Sequence, residues 1–589
     1  MVKRLFKQSK LFFGITLIVA SIGLFSFGSD QSFFEISKNL DILVTTLREV
    51  EANYVDEVNV TAVVQKGIHA MLENLDPYTE FIPEESVEDF KLTHVSTDYG
   101  GIGALIQAIN NEMVVSEVLE GLPAQKSDLK PGDVILKVND VEVSGKKVEE
   151  ISSLLKGAKK SSIKVTIKRA GVNGVLVKNI QREEIKIPNV SYAGFIENGI
   201  GYIKLDKFLE NSALEVKEAF VALKQQQALK GIILDLRENG GGIMMDAVKI
   251  SNLFLPKGQL IVSQKGRKKE NNAEYFASSE PVDINVPLVV LVDNGSASAS
   301  EIVTGAIQET DRGVIIGQRT FGKGLVQNTV NLSYNALLKV TIAKYYTPSG
   351  RSIQALDYTH RKKDGSVDKV ADSLITAFTT KGGRIVYDGS GIFPDILTKE
   401  KNYHQITAEL FGKNIFFFFS NNYFSSHSTI SPARDFSLSE VDFQNFKAFV
   451  KEKNFTYQTR SEQISSSLEK SIQEESKDQE ALAQIKILNQ KIQASKENDL
   501  EKYRNEIEEV LEGEIAARYY FQKGRIESTF NDDAEITEAL KVLKNPSLYQ
   551  SIIKGEGSFK TIGKPEDKSQ TENTASKDSD ISPEEAIDE

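Results

Sequence analysis

The chain has 589 residues, 40% of them hydrophobic, enough for several domains that each bury a core. Its net charge of -12 argues against a nucleic-acid-binding surface, so no nucleic-acid partner is expected. There is no cysteine, which excludes disulfides and thiolate metal sites, and the five histidines lie scattered at 69, 94, 360, 404 and 427 without an HExxH pattern, so neither a metal nor a cofactor is implied.

Residues 1–28 open with Lys3, Arg4, Lys7 and Lys10 and continue without charge from Leu11 to Gly28. That pattern reads as a signal peptide or a membrane anchor. Because the basic end stays in the cytoplasm, the body is expected to be exported: periplasmic, either soluble or tethered to the inner membrane by this segment alone. Residues 31–95 read as a helical segment, with Leu40, Leu43, Leu47 and Val50 at helical spacing and Leu75-Asp76-Pro77-Tyr78 as a stop. Residues 96–170 break into strand-like pieces near Ile102 to Ala108, Met113 to Val118, Asp133 to Val138 and Ser161 to Lys168. A Pro131-Gly132 turn and a short helix around Glu149 to Leu155 lie between them.

Residues 171–397 alternate strand and helix patterns. The apolar run Gly231 to Arg237 ends in Glu238-Asn239-Gly240-Gly241-Gly242, and a helix follows. The run Pro287 to Asp293 reads as a buried strand ending in an Asn294-Gly295 turn. An amphipathic helix carrying Ile302, Ala306 and Ile307 comes next, with Glu301 in its first turn, where the helix end favours an acid. A small hydroxyl residue thus sits at a strand-to-helix junction, beside Ala299, whose backbone N–H is approachable. Ser296, Ser298 and Ser300 all qualify, and local geometry does not separate them. Repeated strand–turn–helix units argue an α/β layered fold with its site at the C-terminal ends of the strands. The segment Gly317 to Gly324 nearly spells a phosphate-binding loop, but Gly324 replaces the hydroxyl residue after Lys323 and the following Leu325-Val326 reads as strand.

Residues 398–556 read as a mainly helical domain. Ile415 to Phe419 is too short an apolar run to span a membrane and suits a core helix or strand. Ser437 or Ser439 can cap a helix carrying Val441, Phe446, Phe449 and Val450. Glu462 to Tyr519 reads as a solvated helical pair, a place for self-association or an adaptor. Residues 557–589, rich in Ser, Asp, Glu and Lys, read as a disordered acidic tail.

The stretches GSASASEI, GQRTFGKGLVQ and LDLRENGGG together resemble the carboxyl-terminal processing proteases, tail-specific serine endopeptidases with a Ser-Lys dyad and a PDZ domain. NYV, LDPYTEF, TPSGRSIQ and GIFPD match as well, so the resemblance runs from Tyr54 to Ile396. It implies a crotonase-like and ClpP-like layered protease core at 171–397, with a PDZ domain at 96–170 between the two helical regions. It places the nucleophile at Ser298, the general base at Lys323 and a lysine-orienting amide at Gln327. Ala299 and either Gly241 or Gly242 then become the oxyanion donors. Tyr99-Gly100-Gly101-Ile102-Gly103 resembles the loop whose successive backbone N–H groups hold a peptide's terminal carboxylate, with an adjoining strand edge to add the peptide as a strand. A pocket partly lined by Ile102 would prefer substrates with an apolar C-terminus.

The chemistry asks much of Lys323. An exposed lysine is charged at neutral pH, and lowering its pKa to about 8 requires roughly 3 kcal/mol of differential free energy. Gln327 can hold the amine without adding a charge, whereas an acid would stabilise the ammonium. A catalytically silent PDZ scaffold is the second reading, which intact Ser298, Lys323 and Gln327 oppose. A crotonase-like acyl-group enzyme is the third, which the export signal and the PDZ segment oppose.

Overall fold

A computed structural model describes residues 27–95, 99–362 and 366–563. The basic head and most of the charge-free stretch at 1–28 lie outside the described residues, as does the tail beyond residue 563. Among the described residues no helix is long and apolar enough to cross a membrane.

The chain divides into two compact units. The first comprises the described residues up to Ile82 together with Thr329–Val340. It holds the helix Phe27–Asn53, on which Phe33, Leu40 and Leu43 are exposed, and the helix Val60–Glu73, whose first turn is capped by the Asn59 side chain accepting from the Ala62 N–H. The stop after this second helix is built by Asp76, whose buried carboxylate accepts from the N–H groups of Tyr78 and Thr79. Strand Glu80–Ile82 then pairs antiparallel with residues 337–339.

The second unit holds everything else that is described. Its first part is an antiparallel sheet in the order Ala104–Ile109, Glu112–Val118, Val134–Val138, Ser162–Lys168 and Leu176–Gln181. Strict alternation makes the strands: in Ser162–Lys168, the residues Ile163, Val165 and Ile167 point into the core and their neighbours point out. The first hairpin turns through Asn110 and Asn111, both at positive φ, the conformation that matches the twist of paired strands. Helix Val148–Leu155 packs against the sheet through Ile151 and Leu155.

The second part is a six-stranded sheet in the order Val190–Glu197, Ile200–Leu205, Gly231–Asp235, Leu288–Val292, Val314–Gly317 and Ile396–Leu397. The first pair is antiparallel and the rest are parallel. Strands Gly231–Asp235 and Leu288–Val292 are buried at every residue, as befits parallel strands covered on both faces. On one face Ile232, Leu234, Val290 and Val292 meet helices Ser212–Gln226, Met244–Asn252 and Ala299–Glu309. On the other, Ile233, Val289, Leu291 and Ile316 meet Ile536, Val542 and Ile552 of the late helices Ala534–Lys544 and Pro546–Ile553.

Helices Gln405–Gly412, Ile415–Ser426, Glu440–Glu452 and Arg504–Ser528 form a separate aromatic core, in which Phe416 and Phe419 pack with Phe446, Ile507 and Leu511. The run Ile415 to Phe419 opens the helix Ile415–Ser426. Ser439 caps the helix Glu440–Glu452, but Val441 is exposed and Phe443 faces the core instead. Phe417 of this region packs on Ile109 and Val114 of the antiparallel sheet. The helical pair is Arg460–Glu475 with Gln479–Lys496; Ile485 is buried and Leu488 exposed.

Candidate active site

The site forms where the parallel strands end. After strand Leu288–Val292 the chain turns on Asp293, whose carboxylate accepts from the N–H groups of Glu238, Gly295 and Ser296. This ties the turn to the loop that leaves the neighbouring strand. Ser298 then caps the helix Ala299–Glu309 with φ 55° and ψ -109°, a conformation rare and strained for a residue with a β-carbon.

The three serines of this turn fare differently. The Ser296 hydroxyl donates to Leu236 O at 2.8 Å, and that of Ser300 donates to Asn239 O at 2.7 Å; both residues are fully buried. Ser298 is only half-buried.

The glycine loop lies directly against this junction. Gly241 has φ 94°, and a β-carbon there would stand 2.6 Å from Ala297 O, 2.8 Å from Ala299 N and 2.9 Å from Ser298 Cβ, so only glycine fits. Asn239 knots the two segments: its carbonyl accepts from Ala297 N and the Ser300 hydroxyl, and its side-chain oxygen accepts from Gly241 N at 2.9 Å. The Gly241 N–H is therefore already bonded, whereas no hydrogen bond from the Gly242 N–H forms among the described residues.

Lys323 arrives on the loop between strands Val314–Gly317 and Leu325–Asn331 and is half-buried. A strand follows it, not the helix that a phosphate-binding loop would need. One carboxylate joins this loop to the Ser298 turn. Glu301, fully buried, accepts from Ser298 N at 2.8 Å, Thr320 Oγ1 at 2.6 Å, Gly322 N at 2.8 Å and Lys323 N at 2.9 Å. Burial pushes this carboxyl up to about 7, against the opposing pull of the four hydrogen bonds. The Tyr345 hydroxyl adds a second tie, 2.7 Å from Lys323 O and 3.1 Å from Ser298 O. Gln327, on the strand after Lys323, donates through Nε2 to Thr341 Oγ1 at 3.1 Å. Sequence reading assigned Glu301 only a helix-end role and gave none to Asn239 or Tyr345. The Glu301 position, three residues after Ser298, was the one usable signal, since a residue there can reach back to the cap N–H.

The Tyr99–Gly103 segment lies at the rim of the antiparallel sheet. Tyr99–Gly101 pairs with Glu183–Ile185, and a β-carbon on Gly100 would stand 2.0 Å from Gly157 O. Ile102 is 3% exposed and its side chain belongs to the sheet core, so only its backbone can meet a peptide. The strand that follows, Ala104–Ile109, ends the sheet and leaves one edge unpaired within it. Among the described residues no group of three or more His, Asp or Glu residues could hold a metal ion.

Family models match in three places. Residues 199–359 match peptidase family S41, residues 93–168 a PDZ domain, and residues 406–543 the C-terminal helical domain of probable PDZ-proteases. The carboxy-terminal-processing protease of Bartonella bacilliformis is 33% identical over 360 residues, 61% of this chain and 81% of that protein. The carboxy-terminal processing protease CtpA of Bacillus subtilis is 34% identical over 356 residues, 59% of this chain and 75% of that protein. Among solved structures, the photosystem II D1 C-terminal processing protease is 28% identical, covering 53% of this chain and 89% of that one at a TM-score of 0.30.

Proposed function

Because the chain belongs to the carboxy-terminal processing proteases of peptidase family S41 and is a serine-type peptidase bearing a PDZ domain, we propose that Ser298 is its nucleophile, Lys323 its general base and Gln327 the residue that orients the lysine amine. The observation carrying this reading is the unequal fate of the three serines. Ser296 and Ser300 spend their hydroxyls on backbone carbonyls inside the fold, and Ser298 alone combines partial exposure with a strained cap at a helix start.

In this reading Ser298 Oγ attacks the scissile carbonyl carbon while Lys323 takes the hydroxyl proton. The carbonyl oxygen, now negative, is received by the Ala299 N–H at the helix start and by a glycine-loop N–H. Gly242 suits the second role better than Gly241, whose N–H already serves Asn239. Collapse of the tetrahedral intermediate breaks the C–N bond, and the lysine proton goes to the leaving amine. Water then hydrolyses the acyl-serine ester with the same lysine as base.

Substrate enters as a polypeptide tail. Backbone N–H groups of the Tyr99–Gly103 segment take the terminal carboxylate, and the peptide adds to the open edge of Ala104–Ile109 as an extra strand. The preference for tails with apolar ends rests on the family resemblance and not on a pocket lined by Ile102. The basic, then charge-free, N-terminus supports an exported, periplasmic protein, and the helical pair at Arg460–Lys496 supports docking of an adaptor or a second copy.

Cleavage of an unfolded reporter with an apolar C-terminus tests the core of this reading. Wild type should cut it, Ser298→Ala and Lys323→Ala should not, and a reporter ending in Asp-Asp should be cut slowly. Hydrolysis by Ser298→Ala means another residue attacks. Equal rates on both reporters leave the peptidase standing and remove tail capture.

A further inference from the structure

We propose that Glu535, aided by Asp533, is a positioning residue that holds the roots of both catalytic loops from the opposite face of the central sheet. The proposal rests on the assignment of Ser298 and Lys323 above. It concerns residues in the late helix Ala534–Lys544, which packs on the face of the sheet away from the Ser298 helix.

Arg237 leaves strand Gly231–Asp235 one residue before the loop Glu238–Gly242. Its guanidinium is 17% exposed and makes a two-pronged pair with fully buried Asp235, through Nη2 at 2.6 Å and Nε at 3.0 Å. Nη1 turns the other way, to Asp533 at 2.7 Å and Glu535 at 3.3 Å. These acids lie 296 and 298 residues further along the chain. Glu535 does not stop there. Its other oxygen accepts from Gln318 Nε2 at 2.8 Å and Thr398 Oγ1 at 2.7 Å. Gln318 is the first residue of the loop that leads to Lys323, and its own N–H bonds to Val292 O, at the end of the strand that leads to Ser298. One carboxylate therefore grips the start of the glycine loop through Arg237 and the start of the lysine loop through Gln318.

The route from there to the chemistry is short. Arg237 precedes Asn239, whose carbonyl holds Ala297 N and the Ser300 hydroxyl and whose side chain holds Gly241 N. A displacement of Arg237 shifts the glycine loop against the Ser298–Ala299 junction. The same loss frees the Gln318 end of the lysine loop. Arg–carboxylate pairs with two parallel bonds fix geometry as well as energy, and removing one partner leaves the other buried and uncompensated. Asp533 is further committed to capping its own helix, accepting from Ile536 N, so Glu535 is the acid that links the two loops.

The test is steady-state cleavage of the unfolded reporter by wild type, Glu535→Gln, Arg237→Met and the double variant, with urea melts alongside. Glu535→Gln should lower kcat about tenfold to a hundredfold, the scale of a small misplacement of catalytic groups, with KM within about twofold. In the Arg237→Met background the same change should cost clearly less than in wild type, because the Arg237 arm is already cut and only the Gln318 arm remains to lose. Glu538→Gln, which breaks only an exposed ion pair with Lys541 on the same helix, should match wild type. If Glu535→Gln does not fold, Thr398→Val replaces it: that change removes one bond to Glu535 and keeps every charge, and kcat should again fall at constant KM. A folded Glu535→Gln or Thr398→Val with wild-type kcat overturns the proposal, as does a kcat loss that adds in full to that of Arg237→Met. Ser298→Ala runs as the control: if it cuts, the catalytic assignment falls, and if it is silent beside a fully active Glu535→Gln, only the positioning role falls.

Discussion

Replacing Glu301 with glutamine exchanges one carboxylate oxygen for an NH2 group at nearly constant volume. The carboxylate is fully buried and accepts four hydrogen bonds, so the new nitrogen must face a donor. Placed where Oε2 stood, it would oppose the N–H groups of both Ser298 and Lys323. Placed where Oε1 stood, it opposes only Gly322 N–H, because the Thr320 hydroxyl can rotate and accept. The second orientation is the cheaper one. It leaves one buried N–H without an acceptor, which costs about 1–3 kcal/mol. Against a total stability of about 5–15 kcal/mol this is readily measured. The loop carrying Lys323 loses one of its anchors to the Ser298 turn, so kcat should fall about tenfold or more. Glu301→Ala strands all four donors and should destabilise the protein further. Urea melts followed by circular dichroism below about pH 5, where ionising the buried carboxyl does not offset the lost bond, read the first effect, and kcat and KM on the unfolded reporter at neutral pH read the second. A Glu301→Gln protein with wild-type melting and wild-type kcat would refute the idea that this carboxylate locks the two loops together.

Three further expectations follow from the same geometry. Burial raises the Glu301 carboxyl from 4.5 to about 7, so its contribution to stability is full below about 4.5 and is lost as pH rises through about 7. The gap between the two values is worth roughly 3 kcal/mol; wild type should lose stability relative to Glu301→Gln across that window, and a constant difference between their urea midpoints would contradict it. Ser300→Ala should cost about 1 kcal/mol from its bond to Asn239 O and still cut the reporter, while Ser298→Ala should melt like wild type and not cut. Gly241→Ala pushes a β-carbon to 2.6 Å from Ala297 O at a positive φ, so it should lose both activity and more than about 1 kcal/mol of stability; a fully active variant would show that the backbone has room.

Much of the frame could be read from local pattern. The alternation in Ser162–Lys168 and the unbroken apolar run in Leu288–Val292 announce a half-exposed and a fully covered strand, because burial follows side-chain period. Ser298 was separable from Ser296 and Ser300 only by analogy with a family, since the partners that occupy the other two hydroxyls, Leu236 O and Asn239 O, come from a segment sixty residues away. Glu301 looked like an ordinary helix-end acid, because its remaining donors lie on the loop Thr320–Lys323. Val441 reads as one of the apolar residues of its helix, yet it is exposed and Phe443 occupies the core. A one-turn window cannot tell which of two neighbouring apolar residues meets Ile507 and Leu511. The acids at 533 and 535 gave no signal at all, for nothing local marks an acidic helix start as the partner of an arginine about three hundred residues earlier.

The late helices on the central sheet also set an order of assembly. The Leu288 N–H bonds to the Tyr549 hydroxyl across 261 residues of chain. A ribosome adding about 5–20 residues per second takes roughly 10–50 s to cover that distance. Throughout that interval Ile233, Val289, Leu291 and Ile316 have no covering helix, so the nascent sheet presents a bare apolar face that invites aggregation or a chaperone. The strands that carry the Ser298 and Lys323 loops are made early and finished late. An incomplete chain thus leaves that apolar face uncovered until its last helices close over the sheet.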